Sequence, residues 1–205
     1  MKYKILIHHA LCSIFYVLLY NIPMVKTAIS ILAFLTLLGD LFILKVAVLF
    51  ILERLKVLKG LSLHRKYLGP NAFSLSLLIS LTATLGSLFF SEVAKFTPCV
   101  LCWYQRIFMY PQPLLLYLAI LRDEKIIRPY LYALNLIGAL IGIYQYILQI
   151  FPNSYLANCS ISGGESCVKG YHFYFGYITI PLMAVTAFIL NIILLSFSSS
   201  ANKRA

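Results

Sequence analysis

Residues 71–91 read NAFSLSLLISLTATLGSLFFS and contain no charged side chain. A helix of this length rises about 30 Å at 1.5 Å per residue, which matches the hydrocarbon thickness of a bilayer. A strand of the same composition would leave backbone N–H and C=O groups unpaired in lipid. The segment therefore predicts a transmembrane helix.

Similar apolar segments recur along the chain, separated by charges, prolines and polar loops. The six segments cover residues 5–22, 27–52, 71–91, 103–121, 129–151 and 173–197. Together they predict an all-α, polytopic membrane protein. The basic stretch 53–70 is the best candidate for a boundary. It divides two extra N-terminal helices (residues 1–68) from a four-helix transmembrane bundle (residues 69–200) and a short tail (residues 201–205).

The composition excludes a soluble enzyme. Of the 205 residues, 61% are hydrophobic and only 11% are charged, and the mean hydropathy is +0.89. A soluble domain has roughly a quarter of its residues charged. The net charge of +11 would suit a nucleic-acid-binding protein, but Lys and Arg gather in short clusters between the apolar segments. We interpret these clusters as topology signals and expect no nucleic acid as a partner.

The basic residues predict an orientation, because Lys and Arg are retained on the cytoplasmic side of a membrane. With the N-terminus inside, only Lys26, Lys95 and Lys169 fall in outer loops. The residues predicted to be cytoplasmic are Lys2, Lys4, Arg54, Lys56, Lys59, Arg65, Lys66, Arg122, Lys125, Arg128, Lys203 and Arg204. The first segment resembles a secretory signal but lacks a small-residue cleavage site, so we expect a retained helix. Both termini are predicted to be cytoplasmic.

Four of the five cysteines are predicted to lie outside the cytoplasm. Cys99 and Cys102 end the loop between the third and fourth segments, and Cys159 and Cys167 lie between the fifth and sixth. Disulfides form and persist in such an oxidising compartment. Cys12 lies alone in an apolar segment, where a free thiol behaves as a small hydrophobe. We assign Cys12 no chemical role.

Residues 97–106, TPCVLCWYQR, have the features of a redox site. The C-x-x-C spacing allows Cys99 and Cys102 to form a short, reducible disulfide, and Pro98 suits the first turn of the helix that follows. Thiols at a helix N-terminus have a lowered pKa. Arg106, four residues after Cys102, adds a positive charge on the same helical face. The pair is therefore predicted to be redox-active.

Arg106 is expected about 6 Å below Cys102 by helical rise, at a depth where ionisable side chains are usually functional. A flat, lipid-soluble electron acceptor could place a carbonyl oxygen on Arg106 and its ring against Cys102. In the alternative interpretation, Arg106 reaches lipid phosphate, and Trp103 and Tyr104 are ordinary interfacial aromatic residues. The sequence leaves both interpretations open.

The second cysteine pair, Cys159 and Cys167, encloses a segment whose two glycines let the chain fold back far enough for a disulfide. An exposed loop of this kind suits exchange with the thiols of a second protein. A purely structural disulfide is the alternative. We predict no metal, because the spacings differ from those of zinc ribbons and Trp103 stands where attachment of a c-type haem needs His.

Two runs, LGSLFFSE (residues 85–92) and PCVLCWYQRIFMYP (residues 98–111), resemble the disulfide bond formation protein B family, especially its short forms in Gram-positive bacteria. The resemblance covers roughly residues 70–197. It implies a four-helix bundle, of the type shared with vitamin K epoxide reductase, in the bacterial cytoplasmic membrane. The implied activity is re-oxidation of a thioredoxin-like, DsbA-type protein, with the electrons passed to a membrane quinone, either ubiquinone or menaquinone.

The resemblance also implies a role for each cysteine. Cys102 would be the thiolate in contact with the quinone, and Cys99 would be its disulfide partner. Cys159 would be attacked by the partner protein's thiol, and Cys167 would complete the second pair.

Three further residues are implied to bind the quinone, namely Gln105, Arg106 and Gln145. Family members often have a His near the outer end of the third bundle helix, where Tyr144, Gln145 and Tyr146 lie in this sequence. The amide of Gln145 can donate a hydrogen bond but cannot carry a proton at neutral pH. The sequence therefore does not identify a proton route to the quinone.

Two charges, Asp40 and Lys45, fall inside the second apolar segment. They could pair with each other across a distortion at Gly39, or they could dock the added helices on the bundle. We favour a structural role, since intramembrane charges also pair for packing.

Three functions remain in competition at this point. The first is a quinone-linked thiol oxidase. The second is the reverse reaction, a quinone or quinone-epoxide reductase on the vitamin K epoxide reductase pattern, because cysteine spacing does not fix the direction of electron flow. The third is a non-catalytic membrane scaffold with disulfide-stapled outer loops.

Overall fold

The fold is given by a computed structural model that describes residues 23–56, 60–122, 125–151 and 175–201. Seven α-helices make up most of these ranges. They are α1 (Pro23–Arg54), α2 (Gly60–Leu68), α3 (Ala72–Glu92), α4 (Val100–Met109), α5 (Pro111–Arg122), α6 (Arg128–Ile150) and α7 (Ile180–Ala201). The predicted all-α fold is confirmed for the described part of the chain.

Four of the described helices contain segments long and apolar enough to cross a membrane. These segments are Val25–Arg54, Ala72–Glu92, Arg128–Ile150 and Ile180–Ser198. They correspond to the predicted segments 27–52, 71–91, 129–151 and 173–197. The predicted segment 5–22 lies outside the described residues. Leucines such as Leu41 and Leu44 are exposed on α1, as expected of side chains that face lipid.

The predicted segment 103–121 is not one continuous helix. It is divided between α4 and α5, which meet at Tyr110, whose backbone keeps helical angles (φ −63°, ψ −34°). Pro111 and Pro113 have no N–H to donate to the carbonyl groups one turn earlier, and proline rings disturb the helix there. The Gln112 side chain donates to the Phe108 carbonyl oxygen at 2.8 Å. The two prolines therefore interrupt this predicted membrane segment near its middle.

Helix α7 packs against α1, α2, α3 and α6 and lies at the centre of the bundle. It approaches α6 closely, because two glycines on α6 leave room for large α7 side chains. A Cβ on Gly138 would overlap the ring of Phe188, and a Cβ on Gly142 would come within 2.5 Å of Val185 Cγ2. Small residues four positions apart commonly bring two membrane helices together.

The two described N-terminal helices also pack on this bundle. Val46 of α1, Leu61 of α2 and Phe197 of α7 form one buried cluster. At the opposite end of α1, Val25 and Ile29 pack against the end of α3 and the segment that follows it. The boundary at residues 68 and 69 stays a prediction, and both described helices that precede it are in contact with α7.

Asp40 docks α1 on α7 rather than pairing with Lys45. Its carboxylate accepts hydrogen bonds from the Thr186 hydroxyl at 2.7 Å and from the Tyr177 hydroxyl at 3.1 Å. Gly39 makes this approach possible, because a Cβ there would lie 2.8 Å from Thr186 Cγ2. Of the two interpretations that the sequence left open, docking on the bundle is the one confirmed.

The contact between α6 and α7 can be tested with Gly138→Ala. The added methyl group must displace the fully buried Phe188 ring, and overpacking of this kind costs about 1–3 kcal/mol. The free energy of unfolding, measured by denaturant titration in detergent, is expected to fall by that amount. Phe188→Leu is the control, because the smaller side chain should make room for the methyl group. The double variant should therefore lose less stability than the sum of the two single losses, and strict additivity would contradict the packing described.

Candidate active site

The first cysteine pair lies at the N-terminus of α4, as the sequence predicts. Cys99 is the N-cap residue and has extended backbone angles (φ −74°, ψ 172°). Its carbonyl oxygen accepts a hydrogen bond from the Trp103 N–H at 3.1 Å. Pro98 therefore lies immediately before the N-cap residue of the helix that follows it. The N-cap geometry directs the chain so that Cys102 follows one turn later on the same side.

The two sulfur atoms are in direct contact. Cys99 Sγ and Cys102 Sγ lie 3.4 Å apart, which is a hydrogen-bond distance between thiols. Cys99 is buried and Cys102 is partly exposed. A disulfide needs about 2.05 Å between the sulfurs, so a small local movement is enough to close the bond.

The amide of Gln145, which α6 contributes, bridges both cysteines. Its Nε2 donates to Cys99 Sγ and to Cys102 Sγ, each at 3.2 Å. Its Oε1 accepts a hydrogen bond from Gln105 Nε2 at 2.6 Å. Both glutamine side chains are buried. Gln145 therefore contacts the sulfurs directly, while the predicted contact of Gln105 and Gln145 with a quinone stays a prediction.

Cys102 is the cysteine whose thiolate is favoured. It lies just outside the predicted membrane segment 103–121, at the N-terminal turn of α4. The hydrogen bond from the Cys99 thiol lowers the pKa of Cys102 to about 6, and the Gln145 amide and the Arg106 charge act in the same direction against the effect of burial. The sequence predicted a lowered pKa from the helix terminus and Arg106, whereas the largest cause is the neighbouring thiol.

Arg106 is fixed against α3. Its Nε donates to Ser87 Oγ at 3.1 Å and its Nη2 donates to the Ser87 carbonyl oxygen at 3.2 Å. The guanidinium carbon lies 5.2 Å from the centre of the Trp103 ring, within the range of a cation–π contact. Ser87 Oγ also lies 3.2 Å from the Tyr110 hydroxyl. These contacts hold the charge within the protein and favour the interpretation of Arg106 as a site residue.

A cavity of about 340 Å³ connects these groups. Its polar end is lined by Cys99, Cys102, Gln105, Arg106 and Gln145, together with Ser87 and Tyr110. Elsewhere the walls are mainly aliphatic side chains from α1, α3 and α7. The volume falls within the range of small-molecule sites, which are mostly apolar with a few polar groups at fixed positions.

The groups of this site come together at one end of the bundle. Ser87 lies in the last two turns of α3, Gln145 lies in the last two turns of α6, and Cys102 lies in the first turn of α4. This is the end that the predicted topology assigns to the outer side. Cys159 and Cys167 lie outside the described residues, as does Cys12, so the position of the second pair stays a prediction.

Sequence reasoning missed two contributions to the site. It gave no role to Ser87, although a small polar residue near the end of an apolar helix, within the run that carries the resemblance, was an available signal. It also did not anticipate that Leu32, Leu35 and Thr36 of α1 would line the cavity. Nothing in the local sequence of α1 indicates this contact, because it depends on how α1 docks on α7.

A model of the family described as disulfide bond formation protein DsbB matches residues 70–198, which is more than half of the chain. The chain belongs to the DsbB family. Membership makes it a membrane thiol oxidoreductase of the disulfide bond formation type, in agreement with the cysteine pair at α4. The match begins just before α3 and ends within α7, so α1 and α2 lie outside it.

Similar proteins carry names of the same kind. Disulfide bond formation protein C of Bacillus subtilis (strain 168) is 44% identical over 124 residues, which cover 58% of this chain and 85% of the relative. The SPbeta prophage-derived disulfide bond formation protein B of the same strain is 42% identical over 118 residues, covering 58% of this chain and 78% of the relative. The probable disulfide formation protein C of Halalkalibacterium halodurans is 41% identical over 116 residues, covering 56% and 83%. No solved structure gives a significant match.

The pKa of Cys102 predicts a pH dependence for its reactivity. Only the thiolate reacts with iodoacetamide, so the alkylation rate of Cys102 in the reduced protein should rise with pH to a midpoint near 6. At pH 7 most of the thiol is then already ionised, and the rate is lost as the pH falls below the midpoint. Mass spectrometry of the modified peptide after timed quenching measures the rate at each pH. A midpoint at the ordinary value of about 8.5 would contradict the geometry.

Gln145→Leu should move that midpoint to higher pH, because the variant removes the amide donor to both sulfurs. The same alkylation series measures the shift. Gln149→Leu is a matched control, since Gln149 also lies on α6 and lines the cavity one turn further along. Equal midpoints in the two variants would mean that the Gln145 amide does not stabilise the Cys102 thiolate.

Proposed function

We propose that this protein oxidises the dithiol of a thioredoxin-like, DsbA-type partner outside the cytoplasm and passes the electrons to a membrane quinone, ubiquinone or menaquinone. One observation carries the proposal. The reactive pair Cys99 and Cys102 opens on an apolar cavity that also contains the fixed cation Arg106. A thiol–disulfide centre that served only water-soluble proteins would not need such a cavity.

The residues at the polar end of the cavity fit a quinone head. Arg106 offers a permanent positive charge to a carbonyl oxygen, and a charge of this kind is most effective where negative charge develops in a site of low dielectric. When bound there, a quinone accepts two electrons from a dithiol, which becomes a disulfide, and takes up two protons. The side-chain amides of Gln105 and Gln145 are hydrogen-bonded to each other, so both have a fixed orientation at this end of the cavity.

The cysteine chemistry follows from the hydrogen bonds. The pKa of Cys102 is lowered to about 6, so its thiolate is the sulfur that donates an electron pair towards the cavity. Cys99, 3.4 Å away, then closes the disulfide and releases its proton. Because Cys102 reacts as the thiolate, the pair supplies one of the two protons that the quinone takes up, and the second comes from water.

The second pair, Cys159 and Cys167, completes the proposed relay. The partner's thiolate attacks Cys159, and the resulting mixed disulfide resolves to an oxidised partner and a reduced second pair. That pair then reduces the disulfide between Cys99 and Cys102. Each 30 mV of potential difference is worth about 1.4 kcal/mol for two electrons, so a modest drop per step gives the relay a direction.

The proposal places both pairs outside the cytoplasmic membrane of a bacterium, with both chain termini inside. The support for this orientation is the distribution of Lys and Arg. The described groups of the site also gather at the predicted outer end of the bundle.

The test uses the purified full-length protein, a menaquinone and a reduced thioredoxin-like protein. One quinol per disulfide is expected, measured by the ultraviolet absorbance of the quinone and by thiol counting. Cys102→Ser and Cys159→Ser should each abolish turnover. Arg106→Ala should raise the apparent KM for the quinone about tenfold, a loss of about 1.4 kcal/mol of binding. Thiol exchange between the partner and the pre-oxidised protein should be unchanged in this variant.

Two controls sharpen this experiment. Arg122→Ala removes an arginine at the far end of the same crossing and should leave the KM unchanged. Arg106→Lys keeps the charge but loses the planar group that Ser87 holds, so it should recover only part of the affinity. Absence of electron transfer with active donors would favour a scaffold, and isolation of the protein with its first pair reduced would favour a reductase.

A further inference from the structure

Helix α1 has no counterpart in the family match at residues 70–198, yet it forms one wall of the cavity. Leu32, Leu35 and Thr36 contribute this wall. Helix α1 is held there by the bond between Asp40 and Thr186, and Thr186 itself lines the cavity. The shape of the cavity in this protein therefore depends on a helix that the family match does not include.

Near the predicted outer end of the bundle, α1 packs against the last turns of α3. Val25 and Ile29 pack with Phe90 in a buried cluster. Leu32 also reaches α3, since a Cβ on Gly86 would lie 3.3 Å from Leu32 Cδ1. These contacts pack α1 against α3 beside the cavity, which Leu32, Gly86 and Phe90 line.

Further along, the cavity wall reaches the surface between the same two helices. Leu35 of α1 and Leu78 of α3 both line the cavity, yet 47% of Leu35 and 61% of Leu78 are exposed. Thr82, which lies between Leu78 and Gly86 along α3, also lines the cavity. A side chain that borders both the cavity and the outer surface marks an opening. Because these surfaces belong to membrane-crossing helices, the opening faces lipid.

The cavity is polar at one end and apolar at this opening. Ser87, which holds Arg106, is nine residues from Leu78 on α3, so the two ends are separated by about 13 Å at 1.5 Å per residue. We infer that α1 and α3 form a lateral mouth, flanked by Leu35 and Leu78, through which the isoprenoid tail of a bound quinone passes into the bilayer. This inference rests on the proposed function and adds that α1, which lies outside the family match, forms part of the path of the quinone tail.

The inference separates head binding from tail binding. A quinone without a tail fits within the cavity and needs only the polar end. A tailed quinone needs the mouth as well. A bulkier side chain at the mouth should therefore weaken the binding of the tailed quinone and leave the binding of the tailless one unchanged.

The experiment compares two double variants of the full-length protein. The mouth variant is Leu35→Phe with Leu78→Phe. The control variant is Leu38→Phe with Leu85→Phe, whose positions lie on the same two helices with 47% and 56% exposure and are not among the described residues that line the cavity. Binding is measured without turnover by quenching of Trp103, the single tryptophan of the chain, which lies beside Arg106.

The mouth variant should bind a long-tailed naphthoquinone about tenfold more weakly than the control variant, as expected for a modest steric clash. Its affinity for a tailless dimethylnaphthoquinone should match that of the control. Leu35→Phe alone, compared with Leu38→Phe, repeats the test if the double variant does not fold. Leu35→Ala, which widens the mouth, should not weaken the binding of the tailed quinone.

Two outcomes would overturn the inference, and they differ from each other. If the unaltered protein binds both quinones but the mouth and control variants bind them equally, the tail does not pass between α1 and α3, and the proposed function still stands. If neither quinone quenches Trp103 or is reduced by the unaltered protein, the proposed acceptor is wrong and the inference fails with it.

Discussion

The site depends on one buried amide, that of Gln145. Its nitrogen donates to two sulfur atoms and its oxygen accepts from Gln105, so the group joins α6 to the start of α4. An amide in the interior of a membrane protein loses its bonds to water, and an unmade hydrogen bond there is costly. The amide is satisfied only when both cysteines and Gln105 are in place. The same three contacts that stabilise the side chain therefore hold Cys99 and Cys102 in place.

The packing of α6 on α7 supports this arrangement. Gly142 lies three residues before Gln145, and a Cβ there would meet Val185 and lie 3.7 Å from the Gln105 side chain. A larger residue would move α6 away from α7 and change the distance from Gln145 to the sulfurs. Asn191 on α7 makes a similar link, because its Nδ2 donates to Ser80 of α3 at 2.8 Å and to Gln112 of α5 at 3.2 Å. Polar bonds of this kind fix helix positions where the hydrophobic effect between helices is weak.

The sequence predicts those features that depend on neighbouring residues. The length of an apolar run gives a membrane span, and the spacing of Cys99, Cys102 and Arg106 gives a shared face on one helix. Pro111 and Pro113 also indicate the break between α4 and α5 at Tyr110, whereas the length of the apolar segment alone predicts one continuous helix. The bridge from Gln145 to Cys102 joins residues 43 positions apart. This contact depends on which face of α6 is turned towards α4, and packing between helices sets that orientation. The local sequence pattern does not. The cavity wall on α1 could not be predicted for the same reason.

Two requirements on the positive charge at position 106 explain why an arginine suits it better than a lysine. The charge must lie near Cys102 to favour its thiolate, and it must reach into an apolar cavity where a lysine ammonium would be strongly drawn back to water. A guanidinium is more weakly hydrated, and its planar group can donate to Ser87 twice while its face rests on Trp103. These three contacts offset part of the cost of removing the charge from water. The same side chain therefore lies close enough to Cys102 to favour its thiolate and also lines the cavity.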